Sequence, residues 1–250
     1  MNSAAFLRSH RSHDVPFLLE RWKALAKSTG LEIRTAFVSG GLPVVFIHSP
    51  QTDAPRLYIS AGIHGDEPAG PSGLLAWAEE NTALLRRLPV AIFPILNPAG
   101  LSLNTRADHR HIDLNRRFHD ASHPHIKAWW KCISDMTFTT GICLHEDYDG
   151  QGIYCYELYH NPRLCIAETA LRACEHIIPR DPRPSIDGRP AKNAVIRRRR
   201  IPAMPGLPEA VALFMHNTQN TLTFETPSEF SLADRVNTHK AFLQSVTADL

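Results

Sequence analysis

The chain has 250 residues, 43% of them hydrophobic and 21% charged, and a formal net charge of +2. That balance excludes a disordered chain and gives no general case for nucleic acid or an anionic membrane as partner. The length suits one soluble domain with a sizeable core. Residues 14 to 29 predict an amphipathic helix, with Asp14 as N-cap, Pro16 in the first turn and Gly30 at the end. LEIRTAFV, LPVVFIHS and RLYISAGI follow as strand candidates, interrupted by Gly40, Gly41 and Pro55. GPSGLLAWAEENTALLRRL reads as helix, and VAIFPIL as a short buried strand that Pro94 weakens. HIKAWWKCISDM and PRLCIAETALRACEHI have helical period, and MTFTTGICLHED is an apolar, β-branched stretch. The Pro- and Arg-rich segment 179 to 208 reads as a long functional loop. VALFMHNT suits strand or helix, NTLTFET is a strand, and SLADRVNTHKAFLQSVTADL is a terminal helix. Strands alternating with helices predict an α/β fold: a single domain, residues 1–250, with a mainly parallel mixed central sheet flanked by helices.

Chemistry concentrates in AGIHGDEPAG, where His64 and Glu67 stand three residues apart just past an apolar strand. If that turn opens a helix, both side chains reach one side of it and can grip one zinc ion. Pro68 and Pro71 suit such an opening turn, and Gly62 and Gly65 allow a tight strand-to-helix bend. A third ligand is available in His145, at the end of the MTFTTGICLHED stretch, and an acidic partner in Glu225, at the end of NTLTFET. Groups at strand ends, distant in sequence, converge along the carboxyl edge of an open α/β sheet. Two histidines and a glutamate leave a zinc position open for water, and Glu225 is then the candidate to take its proton.

Between these segments lies LNPAGLSLNTRADHRHIDLNRRF. The ordered set of HxxE, NPxG, the Arg of NTR, DLNR, a strand ending in His and a strand ending in Glu-Thr resembles the zinc metallocarboxypeptidases related to carboxypeptidase A. Within them it is most similar to the compact bacterial murein peptide amidases, over roughly residues 55 to 230. The resemblance implies one zinc per chain on His64, Glu67 and His145, with Glu225 as general base. It implies Arg106 as the group that stabilises the oxyanion, Asn115 and Arg116 as holders of the substrate's free carboxylate, and Asp113 as hydrogen-bond partner of a ligating histidine. The chemistry agrees: a guanidinium fork suits a carboxylate, and a fixed positive charge stabilises an oxyanion.

One departure stands out. The family's larger members carry a mobile tyrosine some twenty residues before the base, where this chain reads RRRRIPAMPGLPEA; Tyr148, Tyr154, Tyr156 and Tyr159 come much earlier. No tyrosine is therefore carried over. His109, His111, His119, His123 and His125 cluster on a polar, Pro-interrupted stretch without sequence-distant ligands, and read as surface or rim residues. Arg197 to Arg200 read as a solvated run or a basic lip. Glu146, Asp147 and Asp149 follow His145, and an unpaired carboxylate there would favour a substrate with an ammonium group. Five cysteines, odd in number and without a C-x-x-C pair, suggest buried thiols. The N-terminus lacks an apolar run of signal-peptide length and no stretch is long enough to span a membrane, which points to the cytoplasm. The resulting expectation is a zinc hydrolase cleaving an amide bond beside a free carboxylate, acting on a peptide or acyl amino acid. Its alternatives are an N-acyl amino acid deacylase resembling aspartoacylase and succinylglutamate desuccinylase, and a silent zinc- or peptide-binding module. The first usually carries a further C-terminal β domain, for which the roughly 25 residues after Glu225 are too few; the retention of Glu225 and Arg106 speaks against the second.

Overall fold

Asp14 opens the first helix by chemistry alone: its Oδ1 accepts from the Phe17 N–H at 3.0 Å, and Pro16 has no N–H to leave unpaired. This helix, α1 (Val15–Thr29), ends where Gly30 takes φ +77°. Its buried stripe includes Trp22, 1% exposed, a residue whose burial stabilises by about 3 kcal/mol. The computed structural model describes residues 11–50, 54, 56–201, 203–216, 218–248 and 250. The first ten residues, read above for a leader, and residues 51–53, Pro55, Pro202, Asn217 and Asp249 lie outside the described residues.

Strands β1 (Glu32–Ser39), β2 (Leu42–His48) and β3 (Arg56–Ala61) form where expected. The long helix expected after them is broken in two, α2 (Ala69–Glu80) and α3 (Thr82–Leu85). Asn81 makes the break, because its side-chain amide donates to the Trp77 carbonyl at 2.8 Å and competes with the helix backbone. Then come β4 (Val90–Phe93), α4 (Pro98–Leu103), α5 (Pro124–Ile133) and β5 (Phe138–Asp147). Strand β6 (Tyr154–Tyr159) was not expected. After it the predicted helix shrinks to α6 (Ala167–Cys174), because residues 162 to 164 form a 3-10 turn and the helix starts where Glu157 Oε1 accepts from the Ile166 and Ala167 N–H groups.

The segment 179 to 208 is more ordered than a loop. It holds a small hairpin, β7 (Ser185–Ile186) and β8 (Arg189–Pro190), and then β9 (Val195–Arg198). Asp187 and Gly188, at φ +49° and +67°, form the tight hairpin turn that an Asp-Gly pair favours. Residues 209 to 215 resolve as helix α7 (Glu209–Met215), before β10 (Thr218–Pro227) and α8 (Leu232–Val246).

Eight strands make one mixed sheet in the order β1-β2-β4-β3-β5-β10-β6-β9. The central pairings β4-β3, β3-β5 and β5-β10 are parallel, as is β6-β9, and the rest are antiparallel. Period-two alternation sorts the core. Ile47, Leu57, Ile59, Ile142, Leu222 and Phe224 meet α1, α2, α6 and α8 on one face; Phe46, Tyr58, Phe93 and Cys143 meet α5 and α7 on the other. This is the α/β sheet flanked by helices that the alternation predicts, and β3, β5 and β10 all point their carboxyl ends one way.

Candidate metal centre and cleft

At the carboxyl end of β3 the chain turns tightly. Gly62 takes φ +64°, and a Cβ on Gly65 would stand 1.9 Å from the Gly100 carbonyl carbon, so only glycine fits there. The Gly65 N–H donates to the Thr105 carbonyl at 3.0 Å, which ties the turn to the segment carrying Arg106. His64 and Glu67 sit on this bend, before α2 begins, and not on the helix itself. The spacing of three still brings them together, because the turn folds His64 Nδ1 to 2.5 Å from Glu67 Oε1.

His145, near the end of β5, places its Nδ1 2.9 Å from Glu67 Oε2. His64, Glu67 and His145 are buried, and their nearest ligand atoms all lie within 4.8 Å of one another. Burial opposes charge on all three, yet the Glu67 carboxylate is held far below the usual range by the two imidazoles. His64 is in turn pushed up to about 9, since Glu67 and Asp113 outweigh its burial. Two imidazole nitrogens and a carboxylate oxygen facing one point fit a borderline cation such as zinc, and the negative surroundings favour positive charge there.

The sequence-predicted neighbours gather around this group. Asp113 lies 3.4 Å from His64 Nε2, the ring nitrogen turned away from Glu67, and its Oδ1 also caps the 3-10 turn Leu114–Arg116 through the Asn115 N–H at 2.9 Å. Burial resists its ionisation, but His64, Arg106 and Arg116 together hold it well below the usual carboxylate range. Arg106 clamps Asp113 Oδ2 through Nε and Nη2 at 3.2 and 3.1 Å, with Nη1 3.7 Å from Glu67 Oε1. Glu225 stands directly beside His145 in the parallel β5-β10 register, so both side chains emerge on the same face. Burial pushes its carboxyl up to about 8; His145 opposes this, and Glu67, Asp147 and Asp187 add to it.

Asn115 is fixed by its Oδ1, which accepts from the Glu209 N–H at 2.9 Å, while Arg116 is exposed and donates to the Asn115 carbonyl at 3.0 Å. The segment before α7 holds this turn from behind. Leu207 N–H donates to the Arg116 carbonyl and Phe118 N–H to the Leu207 carbonyl, at 3.2 and 3.0 Å. Glu209 itself is a buried acid whose Oε1 accepts from the Tyr58 hydroxyl, and burial raises its pKa.

A cavity of ≈ 410 Å³ is lined by His64, Glu67, Arg106, Asn115, Arg116, His145 and Glu225, while Asp113 and Glu209 stand behind its wall. Its floor is one face of the sheet. Glu225 pairs with Tyr154; Thr223 pairs with Tyr156, which pairs with Ile196; Thr221 pairs with Leu158, which pairs with Arg198. The sequence reading missed this floor, although the alternation Y-x-Y-x-L was its signal. Tyr154 and Tyr156 donate their hydroxyls to Asp147 at 2.9 Å and Asp187 at 2.5 Å. Of the acids after His145, Glu146 accepts from the Ala69 N–H at 2.6 Å and from Arg235, Asp147 is bonded as stated, and Asp149 is exposed away from the cavity lining. The arginine run divides by strand parity: Arg197 donates to the buried Glu157 at 2.6 Å, and Arg198 lines the cavity. His123 and His125 lie apart from the site, their ring nitrogens buried without partners. The five cysteines are free. No helix among the described residues is long and apolar enough to cross a membrane.

Residues 53–128 match the family model of the succinylglutamate desuccinylase/aspartoacylase catalytic domain. Carboxypeptidase SOL1 of Arabidopsis thaliana is 30% identical over 111 residues, 36% of this chain and 23% of that protein. The chain therefore spans under a quarter of that relative. Among solved structures, a candidate metallopeptidase from Shewanella amazonensis superposes with a TM-score of 0.83 at 22% identity, covering 94% of this chain and 92% of its own. A metallo-carboxypeptidase from Burkholderia cenocepacia gives 0.62 at 16% identity, covering 92% and 68%. The murein-tripeptide amidase of Escherichia coli O157 gives 0.56 at 17%, covering 86% and 91%. The chain thus has the fold of the zinc metallocarboxypeptidases, the group that its motifs resemble.

Proposed function

We propose that the chain is a zinc-dependent hydrolase that cleaves an amide bond beside a free carboxylate, as a carboxypeptidase or a peptide amidase does. The observation that carries this reading is the cavity that joins the buried His64, Glu67 and His145 group to Glu225, Arg106 and Arg116. Zinc held there by His64, Glu67 and His145 would supply Lewis acidity and lower the pKa of the attacking water. Glu225, its carboxyl raised by burial, has the proton affinity to accept the water proton and return it to the leaving amine. Arg106 faces the same group from the solvent side and is placed to donate to the developing oxyanion. Asp113 holds Arg106 by two nitrogens and faces His64 Nε2, which favours Nδ1 as the ligating atom. Asn115 and Arg116 would bind the carboxylate of the leaving residue.

The N-acyl amino acid deacylase reading keeps a place because the matched family model covers His64, Glu67, Arg106, Asn115 and Arg116. Both readings share the metal group, the base and a leaving amino acid with a free carboxylate. Incubating the zinc-loaded protein with blocked dipeptides, γ-glutamyl-diaminopimelate peptides and N-acyl amino acids, with products identified by mass spectrometry, separates them. Release of a C-terminal amino acid from peptides supports the first; turnover of N-acyl amino acids alone supports the second. Equal turnover of free and C-terminally amidated peptides would overturn both.

A further inference from the structure

We propose that the distal end of the cleft selects a leaving residue with a second, side-chain carboxylate, and that Arg198, assisted by Arg189, is the group that reads it. The inference rests on the amide-hydrolase reading for the position of the scissile bond. The residues that carry it are all outside the segment matched by the family model.

Near the metal group, apart from the base Glu225, the charged groups of the cavity are already engaged. Arg106 is committed to Asp113, Glu146 to Arg235 and the Ala69 N–H, and Arg116 stands where the α-carboxylate would sit. Beyond them the lining holds two carboxylates and two guanidiniums. Asp147 and Asp187 each accept a tyrosine hydroxyl, and Asp147 also has Arg183 at 3.9 Å. Their backbones are paired in β8 and β9, but the side chains of Arg189 and Arg198 have no ion-pair or hydrogen-bond partner among the described residues. Each carboxylate already accepts a hydroxyl while the two guanidiniums keep their donors free, so the groups left to take a ligand at this end suit an anion, not the ammonium group that the acids after His145 suggest in the sequence.

Register sets the reach. Arg198 shares a rung with Leu158 and Thr221, four residues along the sheet from Glu225 and two strands across from it, a backbone separation of about 16 Å at the usual rise and strand spacing. Leu158 and Ile196 beside it are apolar, so the guanidinium rises from a partly dry floor and its attraction for a carboxylate is strengthened. That separation suits the longer glutamate side chain over aspartate. Arg198 keeps solvent contact, so its effect is moderate and weakens with salt.

The test compares L-glutamate, L-glutamine, L-leucine and L-lysine in two ways on the full-length protein. Calorimetry gives their binding constants, and hydrolysis of N-blocked dipeptides ending in each gives kcat/KM. Glutamate is expected to exceed glutamine by about tenfold in both, the size of one charge-assisted hydrogen bond. Arg198→Gln should bring that ratio to within about twofold of one, raising salt in the parent should lower it, and Arg199→Gln, an exposed neighbour outside the cavity lining, should leave it unchanged. Preference for leucine or lysine, or an unchanged ratio in Arg198→Gln, overturns the proposal. If no dipeptide is cleaved while glutamate binds in an Arg198-dependent way, the hydrolase reading fails and the anion site stands; if the leucine dipeptide is cleaved best, the reverse holds.

Discussion

Glu67 is the electrostatic centre of the cleft, because its two oxygens face two imidazoles and only 2% of the residue meets solvent. Removing either imidazole leaves an under-compensated buried carboxylate and one ligand fewer. His64→Ala and His145→Ala are therefore expected to abolish stoichiometric zinc binding; metal analysis showing one zinc per chain in both would refute the ligand set. Glu225→Gln is a different kind of change. It keeps the shape beside His145 and removes only the proton acceptor, so zinc should stay while turnover falls by about 10²-fold or more. Near-parental rates in that variant would remove Glu225 from the chemistry. Arg116→Ala should lower kcat/KM for peptides with a free C-terminus, and because Arg116 is exposed the loss should be nearer ~2 than ~5 kcal/mol. The same variant should treat amidated and free peptides alike.

At the level of elements, local chemistry was legible where a residue acts on its own neighbours. Asp14, Pro16 and Gly30 bound α1 because caps are local, and the apolar runs of β2 and β3 are legible because strands buried on both sides are continuous. What escaped was decided at a distance. Glu157 faces inward from β6 to cap α6 and pair with Arg197, so an acid interrupts the buried face of the strand and masks the alternation of its other face. The HxxE spacing was legible as a facing pair of side chains, but its backbone is a bend and not a helical turn, fixed by the approach of Gly65 to Gly100. Gly65→Ala should accordingly destabilise the fold by about 3 kcal/mol or more and weaken zinc binding, measured by denaturant unfolding and metal titration. A variant as stable as the parent would show that the contact is relaxed in solution. Helix α5 carries a second consequence. His125 is 3% exposed with both ring nitrogens unpartnered, and burial, with His123 and His109 adding to it and Asp108 opposing, pulls its pKa to about 4. The unfolded chain takes this proton near pH 6.5 and the folded chain does not, so stability is intact above that value and falls as pH drops from 6.5 to 4, by about 3 kcal/mol. His125→Leu should flatten that limb of the stability profile; an unchanged slope between pH 6.5 and 4.5 would remove His125 as its cause. His239, buried and pulled to about 3, leaves a residual acid limb in either case.

Over the whole molecule, the parallel order β4-β3-β5-β10 brings together groups that the chain separates widely. His64 and Glu67 follow β3, His145 ends β5 and Glu225 ends β10, so one edge of one sheet collects all four. This convergence was legible from strand ends alone, whereas the cleft floor was not, because the Y-x-Y-x-L alternation of β6 marks a strand face but not its long-range pairing with β10 and β9 at the far side of the sheet. The same separation makes the proposed metal group a property of the folded state. An unfolded chain holds Glu67 and His145 78 residues apart and cannot offer the three ligands together. Zinc should thus bind the native chain far more tightly than the unfolded one and stabilise it by linkage. At free zinc about 1,000 times the dissociation constant the gain is about 4 kcal/mol, and for a domain of this size that raises the melting midpoint by roughly 10 °C. Thermal unfolding of the parent with zinc and with chelator should therefore differ by that order, and the difference should vanish in His145→Ala, whose remaining two ligands cannot close the site. Coincident midpoints in the parent with and without zinc would mean that His64, Glu67 and His145 form a buried ion-pair cluster that serves the fold alone.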